Sequence, residues 1–384
     1  IAKDHIPSSH IVVYSQLSEM YKMLENRTCN AIAGERTIIS ETNVKENGYS
    51  GPYILGRRTY SKEPLAVVTQ ENDPLSELVD NVIQALLVAE ELNITQSTVS
   101  AFLETQHEFG KEFEGIFRNS ITAVGNYGEM YERHLEGKLP RNAINEINKG
   151  SSGLLYSHPF GALGNIGPDP ISGGTLERIA IRGELRCGIT VSQDVMESNT
   201  NDTYLRELDS DFCHAVAASA VQSTNDAVLV DIRDEEEGYV ALANGTIDVF
   251  SGASNDIQKF VRNPLLDVGF SFSRPYFYGF GAGIETRSLA TKQDDPQWSS
   301  FVYWVVMSTF YAEEEGISQE ESLDMPLVGV LGQDYNRMYR DAIRAVGNYG
   351  EIYDRNVNAR VQRQGRNELN IAPLGPQHYP LPLY

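Results

Sequence analysis

Residues 117 to 133 read Phe-Arg-Asn-Ser-Ile-Thr-Ala-Val-Gly-Asn-Tyr-Gly-Glu-Met-Tyr-Glu-Arg, and residues 339 to 355 read Tyr-Arg-Asp-Ala-Ile-Arg-Ala-Val-Gly-Asn-Tyr-Gly-Glu-Ile-Tyr-Asp-Arg. The core AVGNYGE is identical in both, centred on Gly125 and Gly347. Seven identical residues inside a longer similar stretch are not a chance match. They predict two related units in tandem, because the spacing is far too long for a solenoid of short repeats.

The remaining composition bounds what the units can be. A chain of 384 residues suits two domains, each with its own core. A formal charge of −22 excludes a general nucleic-acid binder, which needs clustered Lys and Arg. The plain reading of the acidity is solubility in a secreted or salt-exposed setting. A calcium-binding surface is the sharper one, but no DxDxDG loop is present. Of the cysteines Cys29, Cys187 and Cys213, no two have metal-ligand spacing. Cys187 ends a strand-like run and Cys213 opens a helix-like one, so a disulfide between them is one expectation, with Cys29 left over. N-glycosylation sequons stand at Asn26, Asn93, Asn201 and Asn244. They lean toward a secreted, extracellular chain; in a periplasmic protein they would mean nothing. No run of about 18 apolar residues predicts a membrane span. Residue 1 is Ile, so the chain is expected to begin after processing or where order begins.

Along the chain, short apolar runs at 10–13, 29–33, 53–56 and 65–69 read as strands, and 15–25 as a helix. Residues 75–92 carry a strong helical pattern behind Pro74. Helices are also expected at 95–103 and 111–133, the latter weakened by Gly125 and Gly128, with a last one from 145 to 156. Pro159, Pro168 and Pro170, among several glycines, mark a linker over 158–176. Beyond it, strands at 185–190, 227–232 and 247–251 alternate with helices at 212–221 and 235–243. Asp209, Ser210 and Asp211 are placed to cap the first of these. An aromatic, strand-like stretch runs from Phe270 to Ile284. Alternation of this kind predicts an α/β unit with a largely parallel sheet.

The stretches from Gly183, from Leu208 and from Gly245, read with the AVGNYGE phrase, resemble polar and general L-amino-acid solute-binding proteins. These are type II periplasmic binding proteins (solute-binding protein family 3) that serve ABC importers. The resemblance implies α/β lobes joined by crossing strands, with the ligand between them. It also implies a partial tandem duplication with one lobe deleted. Residues 177–384 match a first lobe alone. Residues 1–70 match part of a second lobe, and 71–157 the helices that return to a first lobe. It further implies that Cys29 pairs with a cysteine upstream of residue 1.

The same resemblance places a carboxylate-binding Arg at Arg262, with Ser254 and Asn255 beside it, and an ammonium-binding acid near Glu35. The spacing departs from the family around Arg262. A Glu followed by Arg36 is a poor amine site, and a surface role for each residue is the plain alternative. No GxSxG, HExxH, P-loop or GxGxxG motif is present. His158 and His214 are isolated, and no cofactor or metal is expected. The expected function is a non-enzymatic structural or interaction protein with a degenerate ligand cleft. It would self-associate, or meet another chain, through Phe270 to Ile284, a surface bared by the lost lobe. The alternative is a working extracellular or periplasmic amino-acid-binding protein of an ABC importer.

Overall fold

The structure is a computed structural model. It describes residues 7, 10–35, 37–54, 65–70, 73–102, 111–141, 145, 170–191, 204–222, 226–254, 266, 268–279, 286–329, 331–364 and 367–368.

Among its described residues the N-terminal part holds two helices, α1 (Leu17–Glu25) and α2 (Glu41–Glu46). Ser40 caps α2 by accepting the Asn43 N–H. A small apolar cluster forms around Tyr21, Val44 and Tyr49. Among the described residues no strand precedes residue 185, so the strands expected at 10–13, 29–33, 53–54 and 65–69 do not form. The composition is strand-like, but a strand exists only by pairing, and these runs meet no neighbouring strand. Leu65 is 100% and Val68 90% exposed.

Next come α3 (Asp73–Glu91), a 3-10 turn over Gln96–Ala101, α4 (Ile116–Val124) and α5 (Tyr127–Tyr131). The single helix expected over 111–133 is broken at Gly125, whose φ of +80° is open to glycine at no steric cost. Its counterpart Gly347, at φ +82°, makes the same break later in the chain. Of the helix expected from 145 to 156, and of the linker up to 169, only residue 145 is described. The linker's end is occupied by α6 (Thr175–Arg182).

The α/β lobe follows. Its strands are β1 (Leu185–Thr190), β2 (Ala227–Ile232), β3 (Val249–Ala253), β4 (Phe270–Phe272), β5 (Phe277–Tyr278) and β6 (Thr286–Lys292). Its helices are α7 (Tyr204–Val221), α8 (Glu235–Ala243), α9 (Pro296–Glu314), α10 (Met338–Val346) and α11 (Tyr349–Asn356). The strand order is β2-β1-β3-β6-β4, with β5 also on β6. The β2-β1-β3 block is parallel and β6 runs antiparallel to β3, β4 and β5. Alternation along the strands sends Cys187, Ile189 and Val249 to one face, against α7, α9 and α10. Phe250, Phe270 and Ala290 go to the other face, against Tyr239 and Leu242 of α8. The Cys187–Cys213 disulfide ties β1 to α7. Asp295 holds two helix starts: Oδ1 accepts from Trp298 N on α9 at 3.0 Å and Oδ2 from Thr175 N on α6 at 2.6 Å.

Three expectations change here. The helix expected at 212–221 begins at Tyr204, so Asp209 is no cap but a buried mid-helix acid. β6 was not expected, because Thr-Arg-Ser-Leu-Ala-Thr-Lys has neither alternation nor an apolar run. The aromatic stretch is not a bared surface over its described part: Phe270, Tyr276, Phe277 and Tyr278 are buried within the chain. Phe272 packs both on the β4 face and on the cluster of α3 and α4 around Ala85, Phe117 and Ile121. Residues 280–284 lie outside the described residues.

Both copies of the repeated phrase make the same bonds. Asn126 accepts the Glu129 N–H at 2.9 Å, and Asn348 that of Glu351 at 3.0 Å. The two amides donate to Ile94 O at 2.8 Å and Ile317 O at 2.9 Å. Glu129 and Glu351 each accept a remote backbone N–H, from Gln96 and Gln319, both at 2.9 Å. Arg141 forks onto Glu90 across Tyr127, as Arg363 forks onto Glu313 across Tyr349. The second glycine of each phrase has its own reason. A Cβ on Gly128 or Gly350 would sit 2.7 Å from Glu90 Oε1 or Glu313 Oε1. Gly350→Ala is therefore expected to displace the Glu313–Arg363 fork and cost about 1–3 kcal/mol, as overpacking of a tight site does. Urea unfolding measures it, and a loss under 0.5 kcal/mol would show that the fork yields freely.

Candidate functional site

In an open parallel sheet, ligands bind outside the carboxyl ends of the strands, where the strand order reverses. Here that point lies between β1 and β3, since β2 continues outward from one and β6 from the other. The segments leaving these two ends, 192–203 and 255–265, lie outside the described residues. What is described is the rim: Ser251 to Ala253 of β3 with Ser254 just after it, the start of α8, and Arg287 entering β6 beside them.

A buried polar cluster stands under this rim. Asp209 of α7 is fully buried and meets Arg287 of β6, which is 22% exposed. Arg287 Nε donates to Asp209 Oδ1 at 3.1 Å, and a second guanidinium N–H donates to Oδ2. Tyr276 donates its hydroxyl to Asp209 Oδ1 at 2.6 Å and accepts the Gly252 N–H at 2.8 Å. Its ring stacks on Phe212 at 4.0 Å between centroids. Ser251 Oγ lies 2.9 Å from both the Tyr276 hydroxyl and the Asp209 carbonyl, to which it donates. Gly252, at φ +84°, must lack a side chain, because a Cβ would come 2.5 Å from Arg287 and 2.6 Å from Asp209.

The electrostatics follow from this packing. Burial works against the Arg287 charge, but the Asp209 carboxylate more than offsets it, so the arginine pKa lies above its ordinary value. Burial first, and the Asp209 charge second, push the Tyr276 hydroxyl well above the usual tyrosine value. The cluster is thus a fixed ion pair with a neutral phenol, its hydrogen bonds directed inward.

Of the residues singled out from sequence for ligand binding, Ser254 and Glu35 are described. Arg262 and Asn255 lie outside the described residues. Ser254 is on the rim, but its backbone is already used: N donates to Glu235 Oε1 at 2.8 Å, and O accepts from Tyr239 at 3.3 Å. Glu35 is exposed on the turn before α2, where its carboxylate accepts a long 3.4 Å bond from Thr37 and its carbonyl accepts the Ile38 and Ile39 N–H groups. Arg233, after β2, pairs with its neighbour Glu237 at 3.1 Å. Of the sequon residues, Asn26, Asn93 and Asn244 are exposed at or just beyond the C-terminal ends of α1, α3 and α8, and Asn201 is outside the described residues. Cys29 is free and half-buried. Among the described residues, no three His, Cys, Asp or Glu side chains could hold a metal. No described helix is long and apolar enough to cross a membrane.

Comparisons with known proteins agree with the resemblance carried by the sequence. The chain is 27% identical over 168 residues to the putative amino-acid ABC transporter-binding protein YhdW of Escherichia coli, covering 38% of this chain and 48% of that one. It is 29% identical over 126 residues to the general L-amino acid-binding periplasmic protein AapJ of Rhizobium johnstonii, covering 28% and 37%. Its relatives are amino-acid ABC transporter-binding proteins. The chain thus spans about half the length of YhdW or less than half that of AapJ. Among solved structures, a periplasmic binding protein of an ABC transporter from Brucella ovis, with glutathione bound, aligns at a TM-score of 0.41 and 19% identity. The alignment covers 55% of this chain and 99% of that one. No family model matches the chain.

Proposed function

We propose that this protein is a non-enzymatic, extracellular derivative of an amino-acid solute-binding protein, its ligand cleft degenerate and its lobe used as an interaction module. The observation that carries the reading is how the described arginines at and near the rim are used. An amino-acid carboxylate needs an arginine with its fork free, whereas Arg287 is committed to Asp209 and Arg233 to Glu237. The described residues also contain one lobe sheet, where a cleft needs two.

The duplicated closing phrase, with its duplicated bonds, supports a tandem origin. In that origin residues 1–157 hold the closing part of one unit, and unit two, 177–384, has lost its partner lobe. The Cys187–Cys213 disulfide supports an oxidising compartment. The exposed sequons at Asn26, Asn93 and Asn244 fit glycosylation there.

The second reading is an amino-acid-binding protein of an importer, with Arg262 as its carboxylate anchor. It draws on the names of the relatives, AapJ above all. Titration calorimetry with each of the common amino acids separates the two. The expected result is no saturable heat at millimolar ligand. Micromolar binding that disappears in Arg262→Ala would establish the second reading instead.

A further inference from the structure

The chain carries its own comparison for α3–α5. The repeated phrase aligns α4 and α5 with α10 and α11 residue for residue, and in the second copy the structure shows what that face covers. There α10 lies along α7, with Met338, Asp341, Ala342 and Val346 buried. Ser219 of α7 donates to Met338 O at 2.8 Å. Arg355 reaches across to Asp211 near the middle of α7, with Nη2 2.6 Å from Oδ2.

The first copy has the same local bonds and a different outer face. Asn119 and Ala123, which match Asp341 and Ala345, are exposed, and Ile116, Ser120 and Val124 are half-buried where Met338, Ala342 and Val346 are buried. Leu135, which matches the fully buried Val357, is 39% exposed. Arg133 matches Arg355. Both donate to the carbonyl that precedes the glycine break, Val124 at 2.6 Å and Val346 at 2.9 Å. Arg355 goes on to Asp211, whereas Arg133 is exposed, and its Nε donates to the adjacent His134 ring. Among the described residues no carboxylate stands at Arg133.

We infer that the α4–α5 face is a docking seat for one helix of the α7 kind, supplied from outside residues 1–384. Such a helix has a stripe of alanine and serine that lets it lie close to α4. It also has an aspartate two turns ahead of the serine, and that aspartate pairs with Arg133 as Asp211 pairs with Arg355. Small residues favour close approach of two helices, and the charge pair fixes register and direction. The α7 of this same chain is not the occupant, because its own seat against α10 holds it in the core. The inference rests on the interaction-module reading and names its partner by chemistry. Amino-acid calorimetry tests that reading, and a helix-binding measurement tests this one, so either can fail without the other.

The probe is a stapled, fluorescein-labelled peptide of residues 204–222 with Cys213→Ser, titrated into the full chain with its disulfide intact. The staple removes poor helix formation as a reason for failure. Saturable binding is expected, weakened about tenfold by Arg133→Asp, the scale of a lost hydrogen-bonded charge pair at an interface. A peptide with Asp211→Arg should recover most of that loss on the Arg133→Asp chain and bind the unaltered chain poorly. Ala123→Arg should abolish binding on steric grounds while the circular dichroism spectrum stays the same. Absence of saturable binding, or binding indifferent to the charge exchange, overturns the inference. So does a chain that sediments as a dimer, loses the dimer on Ala123→Arg and takes up no peptide, since that gives the face to a second copy.

Discussion

Arg287→Met should lower the unfolding free energy by about 3–5 kcal/mol, the range for removing one partner of a buried ion pair. The reason lies with the partner left behind. Asp209 is fully buried on α7, and among the described residues only Arg287 opposes its charge; Tyr276 gives it a neutral hydrogen bond. Without the guanidinium the acid must either stay charged in an apolar surrounding or take up a proton, and both cost free energy. The double variant Arg287→Met with Asp209→Leu should recover much of the loss, because an apolar pair of similar volume leaves no uncompensated charge. Urea unfolding followed by tryptophan fluorescence reads this directly. Trp298 is buried on α9, and its indole N–H donates to Asp248 O at 2.8 Å, so it reports on the lobe core. If Arg287→Met unfolds within 1 kcal/mol of the unaltered chain, the cluster is not the fixed support described above, and Arg287 becomes a candidate ligand-binding cation.

Removing the disulfide is the other large change. Cys187 and Cys213 are 26 residues apart, and closing a loop of that length in the unfolded chain is worth about 3.5 kcal/mol. Cys187→Ala with Cys213→Ala should lower stability by about that amount, with some further loss because both side chains are completely buried and leave small voids. Cys29→Ser is the internal control. That thiol is free and half-buried, so its replacement should change little. The test is the urea midpoint of each variant under oxidising conditions. A double alanine variant as stable as the parent would mean that the bridge only decorates contacts which hold β1 to α7 without it.

What could be read from sequence depended on whether the signal was local. The AVGNYGE phrase announced itself by repetition, and the strands at 185–190 and 227–232 by short apolar runs, since each is an intrinsic property of a few neighbouring residues. The Asp209 cluster gave no such signal. Its members lie on α7, β3, the β4–β5 connection and β6, and only the strand order brings them together. Asp209 was further disguised by residue type, because an aspartate ahead of an alanine-rich run reads as a cap until the helix is seen to start at Tyr204. β6 was missed because its faces are both covered while its residues are mostly polar. Thr291, for example, is buried but donates to Ser299 at 2.8 Å. The N-terminal runs failed in the opposite way. Val67 and Val68 have strand propensity, but propensity does not supply a partner strand.

The twice-made cap has a use beyond fold and origin. Asn126 with Glu129 and Asn348 with Glu351 are one hydrogen-bonded unit set into two surroundings of one molecule: Asn126 is buried and Asn348 half-buried, while the helix ahead of the first is open along one face and the helix ahead of the second lies in a core. Sequence, bond lengths and solvent conditions are matched by construction. Any disparity in amide protection between the two sites therefore isolates what enclosure alone adds to a fixed set of bonds, a quantity that normally has to be extracted by comparing different proteins.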